Sequence, residues 1–326
     1  MRAIQVASFG GPEVLSPVEI PDPVAGSGQV VVGMAAADVI LLDTLLRQGW
    51  GQDYFPRTLP YVPGGGGAGT VVETGDGVDP AWVGRRVVVR TTTGYAERVA
   101  ADVEDIMPVP DGLAIESAAA LLHDGVTALS LDRLGRPEKG EWVLVMAAAG
   151  GAGSLLVQLA VDAGARVLAA ASSDDKLVLA RDLGAEIGID YTRPDWIHRV
   201  REATGGGAAL VYDGAGGSLG TAAVDAVADG GRFVTYGTAG GFANPDTESL
   251  ARRGVRVIAP LLDGPPGRET VRELLGLALE RAAVGRLRPA IGATYPLDRA
   301  ADAHRALDAR TTVGKSLLLV PATEKR

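Results

Sequence analysis

The chain of 326 residues contains no cysteine. Disulfide bonds are therefore excluded, and so is any zinc site that uses thiolate ligands. Histidine is also scarce: His123, His198 and His304 are the three in the chain, and they lie in three separate helix-like segments. A zinc site made of histidines alone would need all three to converge. We therefore expect no bound metal.

A basic segment of the kind that binds nucleic acid is also missing. The chain has 31 Lys and Arg against 40 Asp and Glu, its formal net charge is −9, and its cations form no block. Because nucleic-acid binding needs positive charge concentrated against phosphates, we expect no nucleic-acid partner. With 47% hydrophobic and 22% charged residues the chain should be globular. Its length suits two domains better than a single core.

Long apolar runs are absent as well. Residues 1–6 lack the apolar region of a signal peptide. No window reaches the roughly 20 uninterrupted apolar residues that a membrane span needs. We expect a soluble, cytoplasmic protein with no membrane partner.

Short β-branched runs characterise the first hundred residues. Residues 30–32, 70–73 and 86–89 are such runs, and clusters of Gly and Pro separate them. This pattern predicts a compact, barrel-like β domain with long connections. Residues 38–48 are the exception, since they are helical or irregular in pattern.

From about Ser117 the pattern changes to alternating strands and helices. A helix over 118–134 comes first. The strand segments that follow are 143–146, 166–169, 187–189, 210–212 and 232–236, and the helical segments are 154–163, 176–183, 196–203 and 220–227. Such alternation predicts a doubly wound parallel sheet, covered by helices on both faces. Two more helices, 269–283 and 299–307, and a strand, 315–320, follow Pro260.

The strongest local signal is a small-residue turn between a predicted strand and a predicted helix. The turn consists of Gly150, Gly151, Ala152 and Gly153. Free N–H groups at the start of such a helix stabilise a diphosphate, and small residues let the backbone approach it. In the pattern G-x-G-x-x-G, Ala148 takes the first position, and Gly150 and Gly153 take the other two. Placed between strand and helix, the turn predicts a dinucleotide site.

The end of the next strand predicts which dinucleotide binds. NAD sites place an acid there, which accepts hydrogen bonds from the ribose. Here Ser172 and Ser173 follow the strand, and the first acid is Asp174. Hydroxyls and the cation of Lys176 can hold a 2′-phosphate that a carboxylate would repel, so we predict NADPH. Alternatively, Ser173 or Asp174 caps the helix that begins near Lys176, and both roles are compatible.

Nine short segments occur together in an order typical of one known family. They are 1–5, 9–15, 94–97, 118–121, 125–128, 148–153, 183–191, 230–232 and 314–317. In these segments the chain resembles the quinone oxidoreductase (zeta-crystallin) group of medium-chain dehydrogenases/reductases. The resemblance implies an α/β protein with a GroES-like, mainly β catalytic domain at residues 1–122 and 260–326. A Rossmann NADPH-binding domain with a doubly wound parallel sheet is implied at residues 123–259.

The resemblance also implies cofactor contacts. The turn that ends at Thr127, the pair Tyr236 and Gly237, and the region of Arg310 and Lys315 would reach the nicotinamide. Tyr191 matches a tyrosine that lies near the adenosine phosphate in this group.

Two features bear on metal and acid–base chemistry. Zinc-dependent members carry Gly-His-Glu in the segment that corresponds to residues 63–69, which here consists of Pro, Gly and Ala. This implies hydride transfer without metal. His123 is the histidine expected nearest the active site, either as a helix-end residue bonded to backbone, which we favour, or as a catalytic residue.

One segment departs from the family pattern. Where the family has Gly-Val-Asn-Pro-x-Asp, residues 38–43 place Ile40 at the Asn position and keep Asp43. An apolar side chain there indicates a hydrophobic, polycyclic or acyl substrate. The loop 50–56 is long and aromatic, and it either clamps a planar ring or only packs on the protein. From this loop we select Tyr54 as the candidate proton donor. The candidate catalytic residues are Tyr54, Ile40, Asp43 and Thr127.

Three functions are compatible with these features. The first is an NADPH-dependent oxidoreductase that reduces quinones or α,β-unsaturated carbonyls. The second is an enoyl or polyketide tailoring reductase with a hydrophobic substrate, and the third is a non-catalytic NADPH-binding protein. The expected partners are a small hydrophobic or quinone-like acceptor and a second copy of the chain. The homodimer would form along the edge of the Rossmann sheet, through residues 232–236 and 255–259.

Overall fold

The computed structural model describes residues 1–264 and 266–320. The chain forms two compact units, which we call unit 1 and unit 2. Unit 1 comprises Met1–His123 and the chain from Leu275 onward, whereas unit 2 comprises Asp124–Leu274. The sequence predicts borders between functional domains after residues 122 and 259. These two units are defined by contacts within the fold, so the predicted borders of the functional domains stay predictions.

Unit 1 is mainly β structure. Its strands, numbered along the whole chain, are β1 (Arg2–Val6), β2 (Leu15–Glu19), β3 (Gln29–Val39), β4 (Gly66–Thr74), β5 (Arg86–Arg90), β6 (Arg98–Asp102), β7 (Ile106–Pro108), β14 (Ile291–Pro296) and β15 (Lys315–Leu319). β1 and β2 form an antiparallel pair. The others form one sheet in the order β14-β15-β3-β4-β5-β7, and β6 also pairs with β3. Valine, isoleucine and alanine side chains from these strands fill the core.

Strand β3 positions the residues that matter most in unit 1. It pairs with β4 on one side, and with β6 and then β15 on the other. Two register shifts interrupt its pairing with β4, as β-bulges do. Near its end, Asp38 lies opposite Leu317 of β15 and is fully buried.

Unit 1 also contains α-helices, two of which it shares with unit 2. α1 (Leu41–Arg47) follows β3 after one residue, and the backbone N–H of Ile40 donates to the Asp43 carboxylate at 3.1 Å. This bond satisfies a donor at the start of the helix. α9 (Ala300–Asp308) contacts α1. α2 (Ile115–Gly135) begins in unit 1 and ends in unit 2, and α8 (Arg268–Ala283) begins in unit 2 and ends in unit 1.

Unit 2 contains a six-stranded parallel sheet. Its strands are β8 (Trp142–Met146), β9 (Arg166–Ala171), β10 (Ile187–Asp190), β11 (Ala208–Asp213), β12 (Val227–Thr235) and β13 (Arg256–Ile258). Its helices are α3 (Gly151–Asp162), α4 (Asp174–Asp182), α5 (Trp196–Thr204), α6 (Gly217–Ala223) and α7 (Thr247–Arg252). The strand order β10-β9-β8-β11-β12-β13 confirms the predicted doubly wound sheet. The chain proceeds outward in opposite directions from β8 and β11, so a ligand crevice is expected at their carboxyl ends.

The structure corrects several predicted element limits. The segment 38–48 is the end of β3 followed by α1, because Asp38 and Val39 complete the pairing with β15. The sixth helix begins at Gly217 and ends at Ala223, and β12 already begins at Val227. β12 pairs with both β11 and β13, so residues 232–235 lie inside the sheet, and β13 forms its edge.

Within the described part of the chain, no helix combines the length and the apolar character required to span a bilayer.

Candidate active site

The turn after β8 has the geometry of a phosphate-binding turn. Ala147 adopts a left-handed conformation with φ 51°, and the N–H of Gly150 donates to its carbonyl at 2.9 Å. α3 begins directly afterwards at Gly151. A β-carbon at Gly153 would collide with the Ala147 carbonyl oxygen and lie 3.2 Å from the α-carbon of Ala148. Glycine is therefore required for α3 to pack this closely on the turn.

An acidic side chain lies beside the same turn. A β-carbon at Gly151 would overlap the carboxylate of Asp124, which α2 supplies. A carboxylate next to the first turn of α3 interacts favourably with the helix dipole. Any anion that binds the free amides of residues 151–153 must therefore accommodate this charge.

The predicted 2′-phosphate residues lie together after β9. The Lys176 ammonium donates to the Ser172 hydroxyl at 3.1 Å. Ser173 occupies the position before α4, but its side chain makes no capping hydrogen bond. The hydroxyl-and-cation group predicted from the sequence is thus formed in space. Tyr191 is anchored beside it, because its N–H donates to the carbonyl of Ala171 at 3.1 Å.

A buried carboxylate organises the ends of β11 and β12. Asp213 accepts the N–H groups of Ala215 at 3.0 Å and Gly216 at 2.9 Å, and its other oxygen accepts the Thr235 hydroxyl at 2.9 Å. Burial raises the pKa of this carboxyl, and the three hydrogen bonds oppose that effect. Asp213 thereby fixes the two loops that follow these strands.

Tyr236 and Gly237 pack tightly against the loop after β11. A β-carbon at Gly214 would lie 2.6 Å from the Tyr236 hydroxyl oxygen. A β-carbon at Gly237 would collide with the Gly214 carbonyl group. These glycines allow the two loops to approach closely at the carboxyl edge of the sheet.

The carboxyl ends of β8 to β12 share one edge, because these strands are parallel. Nine predicted cofactor residues follow the ends of these strands: Gly150, Gly151, Ala152, Gly153, Ser172, Ser173, Tyr191, Tyr236 and Gly237. Lys176 lies in the first turn of α4 at the same edge. The amides of the turn fit a diphosphate, and the Ser172–Lys176 pair fits a further phosphate.

Two further predicted residues do not belong to the segments that follow these strands. Thr127 is a half-buried residue of α2 in unit 2. Lys315 belongs to unit 1, where its ammonium forms an ion pair with Asp38. The assignment of both to the nicotinamide region stays a prediction.

Unit 1 contains a cavity of about 110 Å³. Apolar side chains on its wall include Ile40, Leu42, Leu46 and Pro63. The polar groups on its wall are Asp43, Arg57, Tyr61, Thr91, Thr92 and His123. Of the residues predicted to be catalytic, Ile40 and Asp43 line this cavity. The combination suits a compact organic molecule that carries at least one oxygen.

Asp43 belongs to a buried hydrogen-bond network. The hydroxyl of Tyr95 donates to its Oδ2 at 3.1 Å, and the same oxygen of Tyr95 lies 3.0 Å from Nε2 of His304. The network continues through Arg47 to Asp308. Burial raises the pKa of Asp43 to about 6, although the hydrogen bond from the Ile40 backbone and the proximity of His123 lower it.

A second cluster links three segments that are far apart in sequence. Nδ1 of His123 lies 2.6 Å from Oδ2 of Asp38, whose other oxygen forms an ion pair with Lys315. Burial disfavours the charged form of Asp38, but Lys315 and His123 together hold the pKa of this carboxyl below its usual value. The favoured interpretation of His123 as a helix-end residue bonded to backbone is therefore wrong. His123 lies inside α2 and contacts a carboxylate, because β3 carries Asp38 to this part of the helix.

The aromatic loop at residues 50–56, which follows α1, contributes none of the residues named above for the cavity wall. The Tyr54 side chain is 82% exposed and Trp50 is 41% exposed. A different tyrosine, Tyr61, lines the cavity, and its buried hydroxyl finds no hydrogen-bond partner among the described residues. Burial raises the pKa of this phenol. Little in the sequence points to Tyr61, because it lies in an irregular, Pro-rich segment.

Clusters of three or more His, Asp or Glu side chains that could hold a metal ion do not occur in residues 1–264 and 266–320.

Two family profiles match the chain. Residues 26–126 match the alcohol dehydrogenase GroES-like domain, and residues 151–280 match the zinc-binding dehydrogenase family. The second name refers to zinc, yet this chain has no cysteine to supply thiolate ligands.

Named relatives match over almost their whole length. The chain is 35% identical to a quinone oxidoreductase of Pseudomonas aeruginosa, with 98% of this chain and 99% of the relative covered. It is 33% identical to a 2-haloacrylate reductase of a Burkholderia species, with 99% and 100% covered. Among solved structures, a mycobacterial protein in complex with NADPH superposes with a TM-score of 0.88 at 37% identity, covering 98% of this chain and all of that one. The chain therefore belongs to the medium-chain dehydrogenase/reductase family, in its zeta-crystallin-like quinone oxidoreductase group.

Proposed function

We propose that this protein is an NADPH-dependent oxidoreductase that reduces small quinones or α,β-unsaturated carbonyl compounds. The observation that carries the proposal is the turn at residues 150–153, placed between β8 and α3 where the strand order reverses. Relatives that include a quinone oxidoreductase and a 2-haloacrylate reductase support the same chemistry.

NADPH is favoured over NADH by the residues after β9. Lys176 and Ser172 form a contact pair that can bind a 2′-phosphate, and Ser173 keeps its side chain free of capping bonds. The mycobacterial neighbour was solved with NADPH. When bound, this cofactor supplies a hydride, and the residues named above would hold its diphosphate and its adenosine phosphate.

The cavity of unit 1 supports a compact acceptor. A cavity of roughly 150 Å³ holds one benzene ring. A cavity of about 110 Å³ therefore limits the enclosed part of the acceptor to no more than a single small ring or a short unsaturated chain. Ile40 and Leu42 provide apolar contact on its wall. The Tyr61 hydroxyl has no hydrogen-bond partner among the described residues, so it can donate to a carbonyl oxygen, which gains negative charge when hydride is added.

Steady-state oxidation of NADPH at 340 nm tests the proposal. The acceptor panel contains benzoquinones, naphthoquinones, small enones and acrylates, with longer enoyl thioesters for the tailoring alternative. Turnover of single-ring or short acceptors is expected. Turnover of only the long thioesters would favour the tailoring reductase. Tight NADPH binding with no turnover on any acceptor would favour the non-catalytic alternative.

The homodimer is also part of this proposal. β13 is the edge of the sheet of unit 2 on one side, and an edge strand offers unpaired backbone groups to a second copy. Light scattering should give the mass of two chains. A monomer at micromolar concentration would contradict this part of the proposal alone.

A further inference from the structure

The cavity of unit 1 contains a histidine whose environment differs from that of an ordinary surface residue. His123 lines the cavity, and its side chain is 29% exposed. Asp38, which contacts its Nδ1, is completely buried. A half-exposed ring held by a buried carboxylate is oriented on one side and accessible on the other.

The hydrogen bond to Asp38 fixes which ring nitrogen can exchange a proton. An ionised carboxylate only accepts hydrogen bonds, so the 2.6 Å contact requires the proton on Nδ1. Lys315 forms an ion pair with the other oxygen of Asp38, which keeps this carboxylate ionised. Nε2 is therefore the position that gains and loses a proton.

The Nε2 side of the ring faces the glycine segment of the cavity wall. A β-carbon at Gly65 would lie 2.6 Å from Cε1 and 2.8 Å from Nε2 of His123, and Gly65 also lines the cavity. Any larger residue at position 65 would displace the ring. Glycine thus gives His123 its place at the wall of the cavity. The same cavity is lined by Tyr61, whose buried hydroxyl has no hydrogen-bond partner among the described residues.

We propose that His123 is the proton donor for the reduction of α,β-unsaturated carbonyl substrates, with Asp38 as the positioning residue that holds its ring and Tyr61 as the donor to the substrate oxygen. The proposal rests on the proposed function. Hydride adds to the β-carbon, and the electron pair of the C=C bond becomes an enolate. The imidazolium form of His123, which carries protons on both ring nitrogens, gives its Nε2 proton to the α-carbon of the enolate. This step yields the saturated carbonyl compound and leaves a neutral ring that keeps its Nδ1 proton toward Asp38. Because the ring is partly exposed, solvent returns the proton to Nε2.

Charged groups from several elements surround this ring. Asp38 on β3 contacts Nδ1, and Lys315 on β15 pairs with the other oxygen of Asp38. Asp43 on α1 interacts electrostatically with His123. Arg57 lines the same cavity. The pH dependence of turnover must therefore be assigned with variants and not from the wild-type profile alone.

The first experiment needs no turnover. The protein has three histidines, so long-range ¹H–¹⁵N spectra of the rings give three sets of signals. At alkaline pH, neutral His123 should carry its proton on Nδ1 in the wild type. In Asp38→Asn this preference should be lost, whereas the signals of His198 and His304 stay in place. A wild-type His123 with its proton on Nε2 would overturn the proposal.

The second experiment measures turnover of a short enone and a benzoquinone. His123→Asn keeps a donor near the Nδ1 position toward Asp38 but removes the acid, and we expect kcat for the enone to fall about 100-fold. The fall for the quinone should be smaller, because a hydroquinone anion takes its proton from water. His198→Gln, which changes an exposed histidine of α5, is the matched control.

The outcomes separate the two levels of the proposal. Equal losses for enone and quinone, or an unchanged enone kcat with an unchanged pH profile, would overturn the role of His123 and leave the proposed function intact. If the wild type reduces neither acceptor, the proposed function fails, while the ring spectra still test the His123–Asp38 pair.

Discussion

Nη1 of Arg47 lies 3.2 Å from Nδ1 of His304, and both side chains are fully buried. Arginine can only donate, so Nδ1 accepts, and the ring proton resides on Nε2, 3.0 Å from the Tyr95 hydroxyl. The Tyr95 proton then points to Asp43. Burial, assisted by Arg47, lowers the pKa of His304 to about 3. Along the path from Arg47 through His304 and Tyr95 to Asp43, every hydrogen bond is therefore donated in the same direction. The imidazole of His304 is neutral.

Replacement of Arg47 should lower the free energy of unfolding. Arg47→Met would leave Nδ1 of His304 without its donor and Asp308 without its ion-pair partner. Breaking a buried pair in this way costs about 3 kcal/mol of unfolding free energy. Urea unfolding measures the effect, and Arg305→Met, which breaks an exposed ion pair with Asp302, should have a much smaller effect. Equal effects of both variants would contradict the assigned network.

Asp43 should make stability depend on pH. The folded protein retains the Asp43 proton up to a pKa of about 6, whereas the unfolded chain releases it near 3.8. The wild type should therefore lose stability relative to Asp43→Asn as the pH rises through this interval, by about 3 kcal/mol in total. Urea unfolding of both proteins at pH 4 and pH 7.5 measures the difference. Asp53→Asn, at an exposed position, is the control. Its effect on the free energy of unfolding should be the same at both pH values. A constant difference between wild type and Asp43→Asn would show that the carboxyl titrates normally.

Lys176 should select the phosphorylated cofactor. Lys176→Ala removes the cation that contacts Ser172, and loss of one charge-assisted contact should weaken NADPH binding about tenfold. NADH, which lacks the 2′-phosphate, should bind with little change. Lys139→Ala is the matched control, since Lys139 is exposed and precedes β8 at the opposite end of the sheet. Fluorescence titration gives both dissociation constants. If wild type binds both cofactors equally and the variant matches it, the NADPH assignment is wrong.

Local sequence pattern was sufficient to locate the turn at residues 150–153 and the Ser172–Lys176 pair. Each is contained in a few consecutive residues, so strand and helix periodicity predicts its position between a strand and a helix. Their contacts with the cofactor stay predictions. The Asp38–His123–Lys315 cluster could not be found in this way, because it depends on the pairing of β15 with β3 and on the position of α2. Tyr54 and Tyr61 illustrate the same limit. Both are close to the expected site in sequence, and only the path of the loop decides that Tyr61 lines the cavity.

The contact between Asp38 and Lys315 joins two strands that the whole of unit 2 separates along the chain. During synthesis, the amino-terminal strands emerge long before the lysine that neutralises this carboxylate. An isolated acid is costly to bury, so β3 cannot settle into its final environment until the last strand has docked. The ion pair with Lys315 therefore makes the burial of β3 depend on a strand that follows unit 2 along the chain.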